Sequence, residues 1–383
     1  MRILITGAHF TPAVAVVEEL KKRDGLEIIY VGRSATMEGD NTLSQEAQVL
    51  PKLGVRFISI TTGRLQRFLS PYFVISLLKI PIGIIQSIYI ILSEKPDVIL
   101  SFGGYVAVPV VIIGWFFSVP IIVHEQTLIS GLANRISSHF ADKIAVSFEK
   151  ASPKNEKVVL TGNPLREEIL HPIQISGEYK KFLNLARDLK LPIILVTGGN
   201  QGSHVINLSL EEVLEKLTKI ACVIHVTGDN KFDDFERLEK LGRSGKLGRL
   251  GERYLVRKWI GEEWATVLSK VDLVVSRAGI NTLSELAFVG KPALVIPISY
   301  LYFDEQNKNA KYFKNLGLVK ILSQSGLSSE SLIKNIKAML NDLNRLTENA
   351  KKARTVIIPD AAKRLALEVL LLINPGVTHF LSS

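Results

Sequence analysis

Short runs of Val, Ile and Leu recur along the chain, each followed by a stretch whose apolar positions repeat with helical spacing. The first series reads "RILIT", "LEIIYV", "VRFIS", "DVILSF", "VPIIVHE" and "KIAVSF". After "GNPLR" the rhythm restarts with "PIILVTGG", "CVIHVTG", "RYLVRKWI", "DLVVSRAG", "PALVIPI" and "LVKIL". Strands that are apolar throughout, rather than alternating, belong to parallel sheets covered by helices on both faces. Two such series predict an α/β protein of two doubly wound, Rossmann-like domains facing across a cleft. Ligands then bind beyond the carboxyl ends of the strands.

At 383 residues the chain exceeds what one core usually holds, which agrees with two domains of roughly 150–200 residues each. The break is expected between Gly162 and Arg166, where Gly and Pro interrupt the rhythm and a more polar stretch follows. The reading assigns residues 1–163 to the first domain, completed by a C-terminal helix over 357–375, and residues 164–356 to the second. Pro359 suits the start of that last helix, because its missing N–H would be unpaired there anyway.

Composition changes the picture in three places. Hydrophobic residues at 47% and charged residues at 22% exclude a disordered chain. The single cysteine, Cys222, lies in the apolar run "ACVIHV", so it forms no internal disulfide, is expected in a buried strand and favours a reducing compartment. The net charge of +10 calls for a negatively charged partner: nucleic acid, an anionic membrane or a phosphorylated substrate. No basic stripe with interleaved aromatics appears, which argues against nucleic acid. The opening "MRILITGA" reads as a strand rather than a targeting signal.

The apolar stretch from Phe68 to Leu92 is interrupted by Pro71, Lys79 and Pro81, and Arg64, Arg67 and Lys95 flank it. A spanning helix needs about 20 clean apolar residues. The stretch therefore fits shallow burial in an anionic membrane surface, with a core helix packed on the sheet as the competing reading.

Candidate chemistry sits where strands end. In "ILVTGGNQGSHVIN" a strand runs into Gly198, Gly199 and Gly202 and then a helix, an arrangement whose free amides and dipole favour phosphate. A tight turn needs the same glycines. In "VVSRAGINTLSEL", Arg277 and Gly279 precede a helix that opens with Asn281, Thr282 and Ser284. Glu285, one turn in, suits a ribose diol; a capped helix with an acidic first turn is the plainer account. In the first half, "SFGGYVAVPV" repeats the strand, glycine turn and helix around Gly103, Gly104 and Tyr105. His124, Glu125 and Gln126 then close a strand, with Asn134 in the helix beyond. Three polar groups at a strand end need partners if buried, so they read either as a binding set or as a His-Glu pair bracing the loop. His9 closes the first strand and is a candidate general base. No dinucleotide fingerprint, Walker motif or recurrent metal spacing is present, so neither cofactor nor metal is expected.

Taken in order, "GGY", "HEQ…G…N", "GNPLR", "GGNQGS…N", "RAG…T.SE" and "DEQNKNA" resemble the MurG family to about Leu372. Those inverting GT-B glycosyltransferases move N-acetylglucosamine from its UDP donor to undecaprenyl-pyrophosphoryl-MurNAc-pentapeptide (lipid I), giving lipid II at the cytoplasmic face of the membrane. The resemblance implies that Arg166 contacts the donor, and that Gly198, Gly199, Asn200, Gln201 and Gly202 hold its phosphate region. It implies that Ile260 meets the uracil through backbone atoms, and that Arg277, Gly279, Ile280, Asn281, Thr282, Leu283 and Ser284 surround the diphosphate. Glu285 would take the ribose and Gln306 the sugar hydroxyls, with Asn309 nearby. On the acceptor side His9 is the implied base, with Tyr105, His124, Glu125, Thr127 and Asn134 around lipid I. The chain departs from the family where its first loop, "ITGAH", is shorter than "GGTGGH". Thr127 replaces the usual Asn and Asn200 the usual Ser. The alternatives are a GT-B transferase with another lipid acceptor and a non-catalytic nucleotide-sugar-binding homologue.

Overall fold

The computed structural model describes residues 1–34, 44–63, 71–149, 155–199, 202–243, 248–299 and 304–374. They form two compact units, one of Met1–Arg166 with the chain from Ile358 onward, the other of Glu167–Ile357.

The first unit holds seven strands: β1 (Arg2–Thr6), β2 (Glu27–Gly32), β3 (Arg56–Ser59), β4 (Val98–Ser101), β5 (Ile121–Glu125), β6 (Lys143–Val146) and β7 (Val158–Leu160). Their order is β3-β2-β1-β4-β5-β6-β7 and every neighbouring pair is parallel. The short edge strand β7 has no counterpart among the predicted runs. The second unit holds β8 (Ile193–Thr197), β9 (Cys222–Val226), β10 (Tyr254–Arg257), β11 (Leu273–Ser276), β12 (Ala293–Val295) and β13 (Val319–Ile321). They are parallel, in the order β10-β9-β8-β11-β12-β13. In both sheets the order reverses beside the first strand, between β1 and β4 and between β8 and β11. Such switch points open a crevice at the carboxyl edge.

Successive strand residues point to opposite faces, and both faces of the first sheet are covered. Ile3 and Ile5 pack with Val17, Tyr30, Leu100 and Leu365, whereas Leu4 packs with Val31, Ile99, Val110 and Val123. This double covering is why β1 lacks alternation. In the second unit Ile194, Val196, Ile206, Leu210, Val223 and Val275 form the core. Cys222 is fully buried in β9. The last helix is Ala361–Ile373 with Asp360 at its N-cap, so Pro359 precedes the helix rather than opening it.

The helix Pro71–Glu94 carries Pro81 in its interior. Ser87, Ile90 and Ile91 are buried on its inner face, while Leu78 (68% exposed), Ile85 (67%) and Tyr89 (73%) face outward. It packs against the helix Ala107–Phe116, whose end leaves Trp115, Phe116 and Phe117 exposed. The inner face thus packs as a core helix, while the outer face is left exposed. Among the described residues no helix is long and apolar enough to cross a membrane.

Candidate functional site

At the switch point of the first sheet, the turns after β1 and β4 touch. Ala8 N–H donates to Gly103 O at 3.0 Å, and a Cβ on Gly104 would lie 2.6 Å from Ala8 Cβ. Gly103, at φ +73°, leaves room for the Asn134 amide, which a Cβ there would meet at 2.2 Å. Both glycines are thus required by close packing as well as by positive φ. Tyr105 follows them, half-buried at the approach to the helix Ala107–Phe116.

The polar end of β5 is buried and internally paired. Glu125 Oε1 accepts from Thr127 N–H at 3.0 Å and faces the Thr127 hydroxyl at 2.7 Å, while Glu125 Oε2 accepts from Asn134 Nδ2 at 2.9 Å. Asn134 Nδ2 also reaches His124 O at 3.2 Å. A threonine at position 127 therefore supports the carboxylate through a hydroxyl and a backbone amide, without an amide side chain. His124 Nε2 donates to Gly162 O at 3.0 Å, and its ring meets Phe102 edge-on. Burial drives its pKa down to about 4, with the Gly162 contact opposing and His9 adding to the fall. His124, Glu125, Thr127 and Asn134 thus hold one another through hydrogen bonds, with the His124 ring fully buried. Nδ1 of His124 and Oδ1 of Asn134 are buried without a hydrogen-bond partner.

His9 is the N-cap residue of the helix Phe10–Lys21, and its side chain makes no cap hydrogen bond. It is half-buried. Desolvation holds its pKa below 6.5, and the Glu125 charge pulls the other way. A neutral imidazole at physiological pH is able to accept a proton.

In the second unit, Gly198 and Gly202 are dictated by packing. A Cβ on Gly198 would lie 2.2 Å from Ser203 N, and one on Gly202, at φ +71°, only 1.8 Å from Thr227 O. Gly199, at φ +83°, differs: no described atom lies within 4 Å of a Cβ placed there. Asn200 and Gln201 lie outside the described residues. The helix His204–Thr218 begins at Ser203, whose side chain does not cap it.

Arg277 explains this. Its Nε donates to Ser203 Oγ at 3.0 Å, and its Nη1 to Ile296 O at 2.9 Å and Gln324 Oε1 at 2.8 Å. Arg277 is buried, and these contacts hold protein groups in place. Its charge still lies beside an uncapped helix N-terminus.

The helix Ile280–Val289 starts at Gly279, which has no side chain to cap it and open space around it. Asn281 and Thr282 are half-buried at this end. Leu283 and Ser284 are fully buried, and the Ser284 hydroxyl donates back to Ile280 O at 2.9 Å. Contact with an anion at this end therefore falls to backbone amides, which a helix start leaves unpaired, rather than to the Ser284 side chain. Glu285 Oε2 accepts from the Trp264 indole at 2.9 Å. Ile260 is 9% exposed, shortly before this tryptophan. Gln306 accepts from Ile298 N–H at 3.0 Å, and Asn309 in the same helix reaches Ala278 O at 3.5 Å. Arg166 is half-buried at the end of the first unit.

Residues 6–146 match the glycosyltransferase family 28 N-terminal domain and residues 193–365 its C-terminal domain. The UDP-N-acetylglucosamine–N-acetylmuramyl-(pentapeptide) pyrophosphoryl-undecaprenol N-acetylglucosamine transferase of Bacillus cytotoxicus is 34% identical, over 95% of this chain and 97% of its own. The enzyme of that name from Legionella pneumophila is 31% identical over 90% of each. The crystal structure of Acinetobacter baumannii MurG superposes with a TM-score of 0.69 at 24% identity, covering 96% of this chain and 99% of its own. The calicheamicin glycosyltransferase CalG4, at 14% identity, shares the fold with a TM-score of 0.65 over 98% and 99%. With sequence likeness of this depth running through both units, the chain belongs to the MurG family of GT-B glycosyltransferases.

Proposed function

We propose that the protein transfers N-acetylglucosamine from UDP-N-acetylglucosamine to O4 of MurNAc in lipid I, yielding lipid II and UDP. The likeness to enzymes named for this reaction, over nearly the whole chain, carries the reading. The uncapped helix at Gly279, with Glu285 fixed by Trp264 one turn later, supports a nucleotide site.

In this reaction O4 attacks the anomeric carbon while the bond to the UDP oxygen breaks, inverting that centre. His9 takes the O4 proton and the diphosphate keeps the bonding electron pair. Backbone amides at Gly199 and at the start of the helix Ile280–Val289 receive the developing charge, an arrangement that needs no reorganisation during the step. Arg166, Ile260, Glu285 and Gln306 bind the remaining parts of the donor. Tyr105 faces the acceptor, while His124, Glu125, Thr127 and Asn134 set the shape of its pocket.

The acceptor is lipid-linked, and the exposed row of Leu78, Ile82, Ile85 and Tyr89 with Trp115 and Phe116 suits burial in a leaflet. On this reading the protein is peripheral at the cytoplasmic face. The test is acceptor-dependent UDP release from UDP-N-acetylglucosamine and a lipid I analogue. Donor binding without such release would overturn the acceptor assignment.

A further inference from the structure

A chain of buried polar groups crosses the second unit behind the glycine turn; Asn207 closes the "GGNQGS…N" motif, yet the proposed site gives neither it nor the groups bonded to it a role. The Tyr254 hydroxyl donates to His225 Nδ1 at 2.9 Å, and His225 Nε2 donates to Asn207 Oδ1 at 3.0 Å. Asn207 Nδ2 in turn donates to Asp234 Oδ2 at 2.8 Å and to Thr227 O at 3.2 Å. Asp234 is closed off by His204 Nδ1 at 2.9 Å, Arg237 at 2.7 Å and Asn230 at 3.1 Å. Asn207, His225 and Asp234 are fully or almost fully buried. Only one arrangement of protons satisfies this set: His225 accepts at Nδ1 and donates at Nε2, and the Asn207 amide nitrogen points toward Asp234.

The network has a specific address. Thr227 O, which Asn207 holds, is the atom that a side chain on Gly202 would strike. Thr227 and Gly228 continue the β9 ladder by donating to Arg257 O and Lys258 O, each at 3.0 Å. Two residues further on is Ile260. Asn207 thus pins, through one carbonyl, the segment that joins the phosphate turn to the segment proposed to meet the base. A well-packed apolar residue would fill the same space with no desolvation cost, so stability alone gives no reason for six polar partners here.

We infer that Asn207 is a positioning residue for the nucleotide: with Asp234, His204 and His225 it locks the turn at Gly202 to the β9–β10 loops, setting the distance between the phosphate and base subsites. This rests on the donor site proposed above. The site touches UDP through the turn and the loop; Asn207 acts through them.

The experiment is calorimetric titration of UDP into the full-length protein, wild type, Asn207→Leu and His204→Ala, alongside thermal unfolding and steady-state kinetics. Asn207→Leu keeps the size of the side chain and removes its three hydrogen bonds. The expected result is a loss of UDP affinity on the order of ten- to a hundredfold, the range seen when a site is misplaced by about 1 Å. The donor KM rises in step, while acceptor KM and kcat at saturating donor stay within about twofold, since only ground-state placement is lost. If Asn207→Leu does not fold, His204→Ala decides. It removes one Asp234 partner at the half-exposed end of the network and is expected to weaken UDP several-fold with the same KM split. Lowered melting temperatures with wild-type UDP affinity in the folded protein would overturn the inference and leave the donor site standing. A wild-type protein that binds no UDP would overturn both.

Discussion

Trp264 and Glu285 form a hydrogen bond, indole Nε1 to Oε2 at 2.9 Å, between the helix Trp264–Lys270 and the second turn of the helix Ile280–Val289. The bond fixes the orientation of a carboxylate that is only 4% exposed. Trp264→Phe keeps the ring and removes the donor. A hydrogen bond to a charged group contributes about 1.5–3 kcal/mol, so UDP affinity is expected to fall by about tenfold or more with little change in kcat. Glu285→Ala should weaken UDP at least as much. Unchanged affinity in both variants would remove Glu285 from the nucleotide site.

Gly199 and Gly202 separate two reasons for a glycine in one turn. Gly202→Ala forces a Cβ into Thr227 O and is expected to destabilise the protein by more than about 2 kcal/mol. Gly199→Ala meets no described atom, so only its positive φ opposes it, at about 1 kcal/mol. Urea unfolding measures both. UDP affinity should nevertheless fall in Gly199→Ala, because the methyl occupies space a phosphate approaches.

His124 and His225 make stability depend on acid. Burial lowers their pKa values to about 4 and about 3, against 6.5 in the unfolded chain. Between those values the unfolded state binds more protons, so stability is fully present above pH 6.5 and is lost as the pH falls toward 4. Urea midpoints measured from pH 7 to pH 4.5 should drop steadily. His124→Gln should flatten that slope, and an unaltered slope would show that His124 is protonated in the folded state.

Ile85 is two-thirds exposed on the outer face of the helix Pro71–Glu94. Ile85→Glu should leave stability within about 0.5 kcal/mol, as exposed substitutions generally do. Binding to vesicles containing anionic lipid should weaken by tenfold or more, since burying one such side chain contributes about 1.5–3 kcal/mol. Equal vesicle binding in the variant would place the membrane contact elsewhere.

The strands of both sheets were legible because parallel strands, covered on both faces, must be apolar throughout. β7 escaped because three residues at a sheet edge give too short a run. The glycine turn was legible from Gly198, Gly199 and Gly202, although only the structure shows that Gly198 and Gly202 answer to their neighbours, whereas no described atom lies near a side chain placed at Gly199. The protein partners of Arg277 were not legible, because Ser203, Ile296 and Gln324 are far apart in sequence. The network around Asn207 was missed for the same reason. Tyr254, His225, Asp234 and Asn207 come from separate elements, and no local spacing ties them together. Its available signals were Asn207, which closes the "GGNQGS…N" motif, and His225, placed inside an otherwise apolar strand.

The helix Ala361–Ile373 belongs to the first unit, where Leu365, Ala366 and Val369 complete the core beside Val16 and Val17, and Lys143 pairs with Glu368. During synthesis the N-terminal sheet therefore leaves the ribosome first yet cannot be sealed until the helix Ala361–Ile373, made after the whole second unit, follows it. A truncated or stalled product would expose the flank of the helix Phe10–Lys21 while its second unit is already whole. Quality control that recognises bare apolar surface would have a built-in means of telling finished copies from unfinished ones.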